Sequence, residues 1–221
     1  MSTERQAGLA TVVLVSGEGT NLQALIDAER AGRIRTELRA VFSDRADAHA
    51  LQRAEAAGMA AHHKEAQEYS ERADYDQALA AELARYEPEL LVLAGFTRIL
   101  SAGFVALYGG RMLNIHPSLL PKFRGLDTHR RVLEAGDGFH GATVHFVTEA
   151  LDAGPRVVQY RIPVRHGEDE ASLSARVHRG EYIILPRAVG WYADGRLRLE
   201  KGNVMLDGQE LTHPIVVEEE Q

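Results

Sequence analysis

Residues 11–15 (TVVLV) constrain this chain more than any other segment, because they are apolar on both faces and open directly onto a glycine turn. A strand without polar alternation leaves no side for water, so it belongs inside a parallel sheet covered by helices above and below. The turn Ser16-Gly17-Glu18-Gly19-Thr20-Asn21 leads into a helical pattern over residues 21–31, with Leu22, Leu25, Ile26 and Ala28 as its apolar positions. Strand, tight turn and helix in this order begin an α/β sheet.

The rhythm continues. Strands are expected at 38–43, 59–63, 89–94 and 112–115, and helices at 46–57 (ended by Gly58), 69–86 (stopped by Pro88) and 98–106. Beyond that point two strand-like runs, 142–148 and 157–164, follow one another across a loop holding Asp152, Gly154 and Pro155, which suits an antiparallel hairpin added to the sheet. A helix over 168–188, a short C-terminal segment and an acidic tail ending at Glu218–Gln221 complete the chain. The expected fold is α/β and Rossmann-like: a mixed, mostly parallel sheet with helices on both faces. One domain over 1–221 is expected, with a phosphate-binding half at about 10–110, a second half at about 111–208 and the acidic tail at 215–221.

Composition narrows the function classes. With 221 residues the chain can bury roughly 70–75% of its unfolded surface. The 45% hydrophobic and 26% charged content argues against general disorder. No run of about 18 apolar residues is present, and the polar start lacks the apolar core of a signal peptide, so a cytoplasmic protein without a membrane partner is expected. Absence of cysteine removes disulfides, thiolate metal sites and cysteine nucleophiles together. A net charge of −7 and a pI near 5.8 disfavour a nucleic-acid partner. Neither excludes a small phosphorylated ligand, since backbone amides at a helix start bind phosphate without basic side chains.

Two places carry chemistry. The glycine loop sits where the first strand hands over to the first helix; it lacks the third glycine of a dinucleotide fingerprint and the Lys-Ser/Thr of a triphosphatase loop, so a phosphate monoester fits it best. It fits equally a plain turn in which Thr20 or Asn21 caps the helix. The second place is Asn114-Ile115-His116-Pro117, at the carboxyl end of the fifth strand, the edge where open α/β sheets bind ligands. Period-two geometry points Asn114 and His116 to one face, and Asp152 arrives from another loop. An amide donor, an imidazole and a carboxylate suit attack of an amine on an activated formyl group, with the oxyanion held by Asn114 and His116 and the imidazole pKa raised by Asp152. The same residues also fit a hydrogen-bonded turn.

The blocks SGEGTNLQALIDA, AVFSDRADA, LVLAGFTRIL, LNIHPSLLPKFRG, GATVHFVTEALDAGP and WYADGRL, in this order, resemble the phosphoribosylglycinamide formyltransferase family over most of the chain. That resemblance implies a formyltransferase fold with 10-formyltetrahydrofolate as co-substrate, no metal, and glycinamide ribonucleotide as the small-molecule partner. It implies that Gly19, Thr20 and Asn21 hold the phosphate end of that substrate and Glu181 its glycinamide part. The folate is placed against Arg72, Thr97, Arg98, Ile99, Leu100 and Asn114. His116 becomes the proton donor and Asp152 the group that raises its pKa. Read without the resemblance, Arg72, Arg98 and Glu181 are solvated helix residues.

Three positions depart from the family pattern. Arg124 stands where many relatives have proline, Ala153 where glycine is common, and Asp127 where many have histidine. Asp127 either adds a second carboxylate near Asp152, caps a helix beginning near Thr128, or lies on a mobile 122–127 loop and faces solvent, the reading preferred here. His129 and His145 either approach the site or, the reading preferred, take hydrogen-bonded structural roles, and His140, His166, His178 and His213 are expected at the surface. Competing readings are a formyl-folate hydrolase, which normally carries an extra N-terminal domain, a transfer-RNA formyltransferase, with an extra C-terminal barrel, and a non-enzymatic phosphate-binding module. The short stretch before the first strand is expected to disfavour the hydrolase, and a last helix near the C-terminus the transfer-RNA enzyme. Monomer and homodimer remain open.

Overall fold

The computed structural model describes residues 8–219; the polar start up to residue 7, and Glu220 and Gln221 of the acidic tail, lie outside the described residues. Chain order runs β1 (Leu9–Val15), α1 (Thr20–Arg30), β2 (Thr36–Ser43), α2 (His49–Ala56), β3 (Ala60–His63), α3 (Arg72–Leu83), β4 (Leu90–Leu93), α4 (Ala102–Leu107) and β5 (Met112–His116). It continues with α5 (Thr128–Ala135), β6 (Phe139–Phe146), β7 (Arg156–Pro163), α6 (Glu170–Ala193), β8 (Leu197–Glu200), β9 (Asn203–Leu206), β10 (Gln209–Glu210) and β11 (Ile215–Glu218). Eight strands form one sheet in the order β11-β7-β6-β5-β4-β1-β2-β3. Pairing is parallel except for β5–β6 and β6–β7, the expected hairpin addition.

Alternation along β1 shows why the sheet is covered twice. Val13 and Val15 join the core under α1, α2, α5 and α6, while Val12 and Leu14 join the one under α3 and α4. Each fully buried Leu or Val contributes about 1.5–3 kcal/mol of hydrophobic stabilisation, so neither face tolerates exposure. Helix α6 lies close on the sheet because residue 180 is glycine: a Cβ there would fall 1.8 Å from Cδ1 of Tyr160. That close approach brings the next residue, Glu181, against the glycine loop. Among the described residues, no helix is long and apolar enough to cross a membrane.

Three expectations change. The helix expected over 98–106 starts only at Ala102, capped by Ser101, whose side chain accepts from Phe104 N. Residues 97–101 are instead drawn into a loop, because Thr97 N donates to Ser16 Oγ (3.0 Å) and Ser101 N to the buried Asp76 carboxylate (2.5 Å). The helix expected over 69–86 is trimmed to α3, flanked by single 3₁₀ turns. The chain after α6 is not a short appendage: β8, β9 and β10 form a small antiparallel sheet, and β11 returns to pair in parallel with β7. The acidic tail is therefore partly structural, with Glu218 paired to Arg161 and Glu219 to Arg176.

Candidate active site

Strand β1 lies between β2 and β4, so the connections leaving β1 and β4 diverge and open a crevice at their carboxyl ends. Beside it lies a cavity of about 490 Å³. The 97–101 loop forms one wall, with Thr97, Arg98, Ile99 and Leu100, and Asn114, His116 and Asp152 all face the same space. The sheet register brings these three together from distant parts of the chain. Asn114 and His116 are alternate residues of β5, and Asp152 sits in the β6–β7 connection with φ +47°, a conformation rarely adopted by non-glycine residues.

Their protons follow from their partners. The Phe123 carbonyl can only accept, so His116 Nε2, 3.0 Å away, carries a proton, and Nδ1 faces Asp152 Oδ2 at 3.4 Å. Likewise His145 donates from Nδ1 to the Phe146 carbonyl (2.9 Å), which leaves Nε2 to accept from Asn114 Nδ2 at 3.0 Å. His145, expected in a structural role, thus lies within the site, where it orients Asn114 and stands 3.7 Å from Asp152. The signal was its place opposite Asn114 across the β5–β6 pair, which requires the register to be known.

Asp152 is also held by Gly125 N, which donates to Oδ2 at 2.9 Å. Burial alone would raise its pKa, but the adjacent His145 ring, the Gly125 N–H and the His116 imidazole outweigh it, and the carboxyl titrates below its usual value. The expectation that Asp152 lifts the His116 pKa is corrected in its net sign. Burial is the largest influence and lowers it; the Phe123 carbonyl and Asp152 push upward without overcoming burial, and His145 and Arg131 add to the lowering. Unliganded His116 is therefore neutral near pH 7. Asp127 pairs with Arg130 (2.6 Å) and stays largely exposed at the lining of the cavity that Asp152 also faces, and it provides no side-chain cap for α5. The 122–127 loop is tied rather than loose: Arg131 Nη1 donates to the carbonyls of Arg124 (2.6 Å) and Leu126 (3.1 Å).

His129, in the cavity lining, shares a hydrogen bond with His140, Nδ1 to Nε2 at 2.9 Å, which requires one ring to keep a lone pair. His140 is fully buried and His178 half-buried beside His129, against the surface positions expected; His166 and His213 are exposed. Burial, first, and neighbouring imidazoles push His129 down to about 4 and His140 to about 3. Because the unfolded chain binds these protons more readily, stability is lost as pH falls below the ordinary histidine pKa of about 6.5. Melting curves should show Tm declining steadily from about pH 7 to about pH 4, and a flat profile would contradict this placement.

The glycine loop is shaped by close packing against α2. Gly19 adopts φ +72°, and a Cβ there would lie 2.6 Å from Ala50 Cβ, so no other residue fits. It occupies the cap position of α1 without a side-chain hydrogen bond, so neither Thr20 nor Asn21 serves as cap. Asn21 Nδ2 instead donates to Glu181 Oε2 at 2.8 Å, and Asn21 Oδ1 is buried without a protein partner. Glu181 is buried rather than solvated, and burial raises its pKa despite the Asn21 contact and the His178 charge. Arg98 lies with its guanidinium 4.7 Å from the Tyr75 ring centre. Arg72 stands exposed on the first turn of α3, outside the cavity lining.

An open α/β sheet with a glycine loop and an Asn–His–Asp group at its carboxyl edge defines a group-transfer enzyme of the doubly wound class. The chain belongs to the formyl transferase family, whose model matches residues 9–189. It is 52% identical to the phosphoribosylglycinamide formyltransferase of Escherichia coli (strain K12), over 90% of this chain and 94% of that protein. Its fold superposes on the phosphoribosylglycinamide formyltransferase of Coxiella burnetii with a TM-score of 0.90 and 46% identity, covering 94% of this chain and 99% of that one. A formyltetrahydrofolate deformylase from Burkholderia mallei is also similar, with a TM-score of 0.81, 26% identity and coverage of 90% of this chain and 70% of that one.

Proposed function

We propose that this chain transfers the formyl group of 10-formyltetrahydrofolate to the amine of glycinamide ribonucleotide, a step of de novo purine (IMP) biosynthesis in the cytoplasm. The observation that carries this reading is the convergence of Asn114, His116 and Asp152 on one cavity of a formyltransferase fold. The whole chain acts as one formyltransferase domain. Gly19, Thr20 and Asn21 take the phosphate on backbone amides at the start of α1, and Glu181 takes the glycinamide part. Thr97, Arg98, Ile99, Leu100 and Asn114 meet the folate, whose flat rings suit a cavity of this size with apolar walls; Arg98 pairs with a folate carboxylate, and Arg72 meets the folate from outside the cavity lining.

In the reaction the substrate amine attacks the formyl carbon, and the carbonyl electrons move onto oxygen. Asn114 has one N–H on His145 and a second to offer that oxyanion. The attacking nitrogen sheds a proton, which reaches His116 Nδ1 beside the Asp152 carboxylate, and the resulting imidazolium stabilises the oxyanion. Collapse re-forms the carbonyl and breaks the bond from the formyl carbon to folate N10, which leaves with the same proton, returned by His116, so the His116–Asp152 pair ends as it began.

The test is tetrahydrofolate release followed spectrophotometrically with and without glycinamide ribonucleotide. Acceptor-dependent release is expected. Equal release without acceptor would assign a hydrolase, as in the deformylase, and no release with acceptor would end the proposal.

A further inference from the structure

The two halves of the proposed site hang from different strands, so something must hold the distance between them. Ser16 does this with one side chain. It directly follows β1, and its backbone N donates to Gly95 O (3.1 Å), across the crevice between β1 and β4. Its buried hydroxyl accepts from Thr97 N at 3.0 Å and donates to Asp44 Oδ1 at 2.6 Å. The donation to Asp44 fixes the hydroxyl proton and leaves lone pairs for the Thr97 amide. Three loops, after β1, β2 and β4, thus meet on one oxygen.

We propose that Ser16, oriented by Asp44, is a positioning residue that sets the 97–100 wall relative to the glycine loop and so aligns the two substrates. This rests on the function proposed above. The loops have unequal support without it. The glycine loop keeps anchors on α2, from Ala50 N to Gly17 O (3.1 Å) and from Arg53 Nε to Glu18 O (2.8 Å). At the Thr97 end of the wall the amide loses its acceptor, while Asp76 still holds Ser101. Loss of the hydroxyl should therefore loosen the folate side alone.

The test is kinetics of Ser16→Ala, Ser16→Thr, Asp44→Asn and Asp44→Ala, with hydrogen exchange of the unliganded proteins. Ser16→Ala should raise the KM for 10-formyltetrahydrofolate about tenfold and lower kcat about tenfold, the size expected for one buried hydrogen bond and lost alignment. Its KM for glycinamide ribonucleotide should stay within about twofold, and exchange in residues 96–101 should quicken. Ser16→Thr and Asp44→Asn, which keep the hydroxyl and the acceptor oxygen, should behave as the parent; Asp44→Ala should shift in the direction of Ser16→Ala. Unchanged kinetics and exchange in Ser16→Ala would overturn the proposal. Equal rises in both KM values, or failure of Ser16→Thr to restore function, would also overturn it. If the parent protein transfers no formyl group, the function reading fails by itself, and exchange at 96–101 still decides whether Ser16 holds the wall.

Discussion

His116→Ala is expected to lower kcat by about 10³–10⁴-fold, combining a lost proton donor with a lost oxyanion partner. Binding of both substrates should change little, because the glycine loop and the 97–101 wall are held by contacts that do not involve this ring. Asp152→Asn should show the same site from the other side. The carboxylate is one of two influences raising the imidazole pKa against burial, so its removal lowers that pKa further. If the imidazolium is the form that stabilises the intermediate, the alkaline limb of kcat moves to lower pH and the plateau drops about 10²-fold. Steady-state rates across pH measure both effects. A His116→Ala enzyme within about tenfold of the parent would remove His116 from the chemistry.

Arg176→Ala is expected to cost about 3–5 kcal/mol of folding stability, the largest loss anticipated from a residue outside the site. Arg176 is buried on α6, and its Nη1 meets both oxygens of the equally buried Glu168, at 2.8 and 2.9 Å. The rest of the guanidinium grips Glu219, just beyond β11. Truncation leaves the Glu168 carboxylate inside the protein without its counter-charge and unclips the last strand. At about 2–4 °C per kcal/mol for a chain of this size, Tm should fall by about 10 °C, and limited proteolysis should cut after β10. Arg176 also holds the Glu219 pKa below its ordinary value. That stability is present above the ordinary carboxylate pKa and disappears as pH falls through the depressed one, so the variant should lose this part of the acid sensitivity. A Tm within about 2 °C of the parent would show that the clip contributes nothing.

The amino-acid sequence by itself determined the doubly covered parallel sheet, because runs such as residues 11–15 are apolar on both faces and admit few other environments. It also marked the hairpin addition, and the strand that carries Asn114 and His116, because period-two alternation is local information. The blocks shared with the family carried the proposed roles of Asp152, Glu181 and the 97–100 stretch. What only the tertiary structure decided are relations between residues far apart in the chain. Asn21 meets Glu181 across 160 positions and Ser16 meets Thr97 across 81. His145 enters the site only through the antiparallel register of β5 and β6, and a shift of one residue would have turned it to the other face. Burial was equally hidden. Glu181 reads as a solvated helix position until α6 packs against the sheet through Gly180, and the same packing buries Arg176. The net direction of the His116 pKa was hidden for the same reason: a neighbouring carboxylate can be guessed from a motif, whereas desolvation depends on everything packed around the ring.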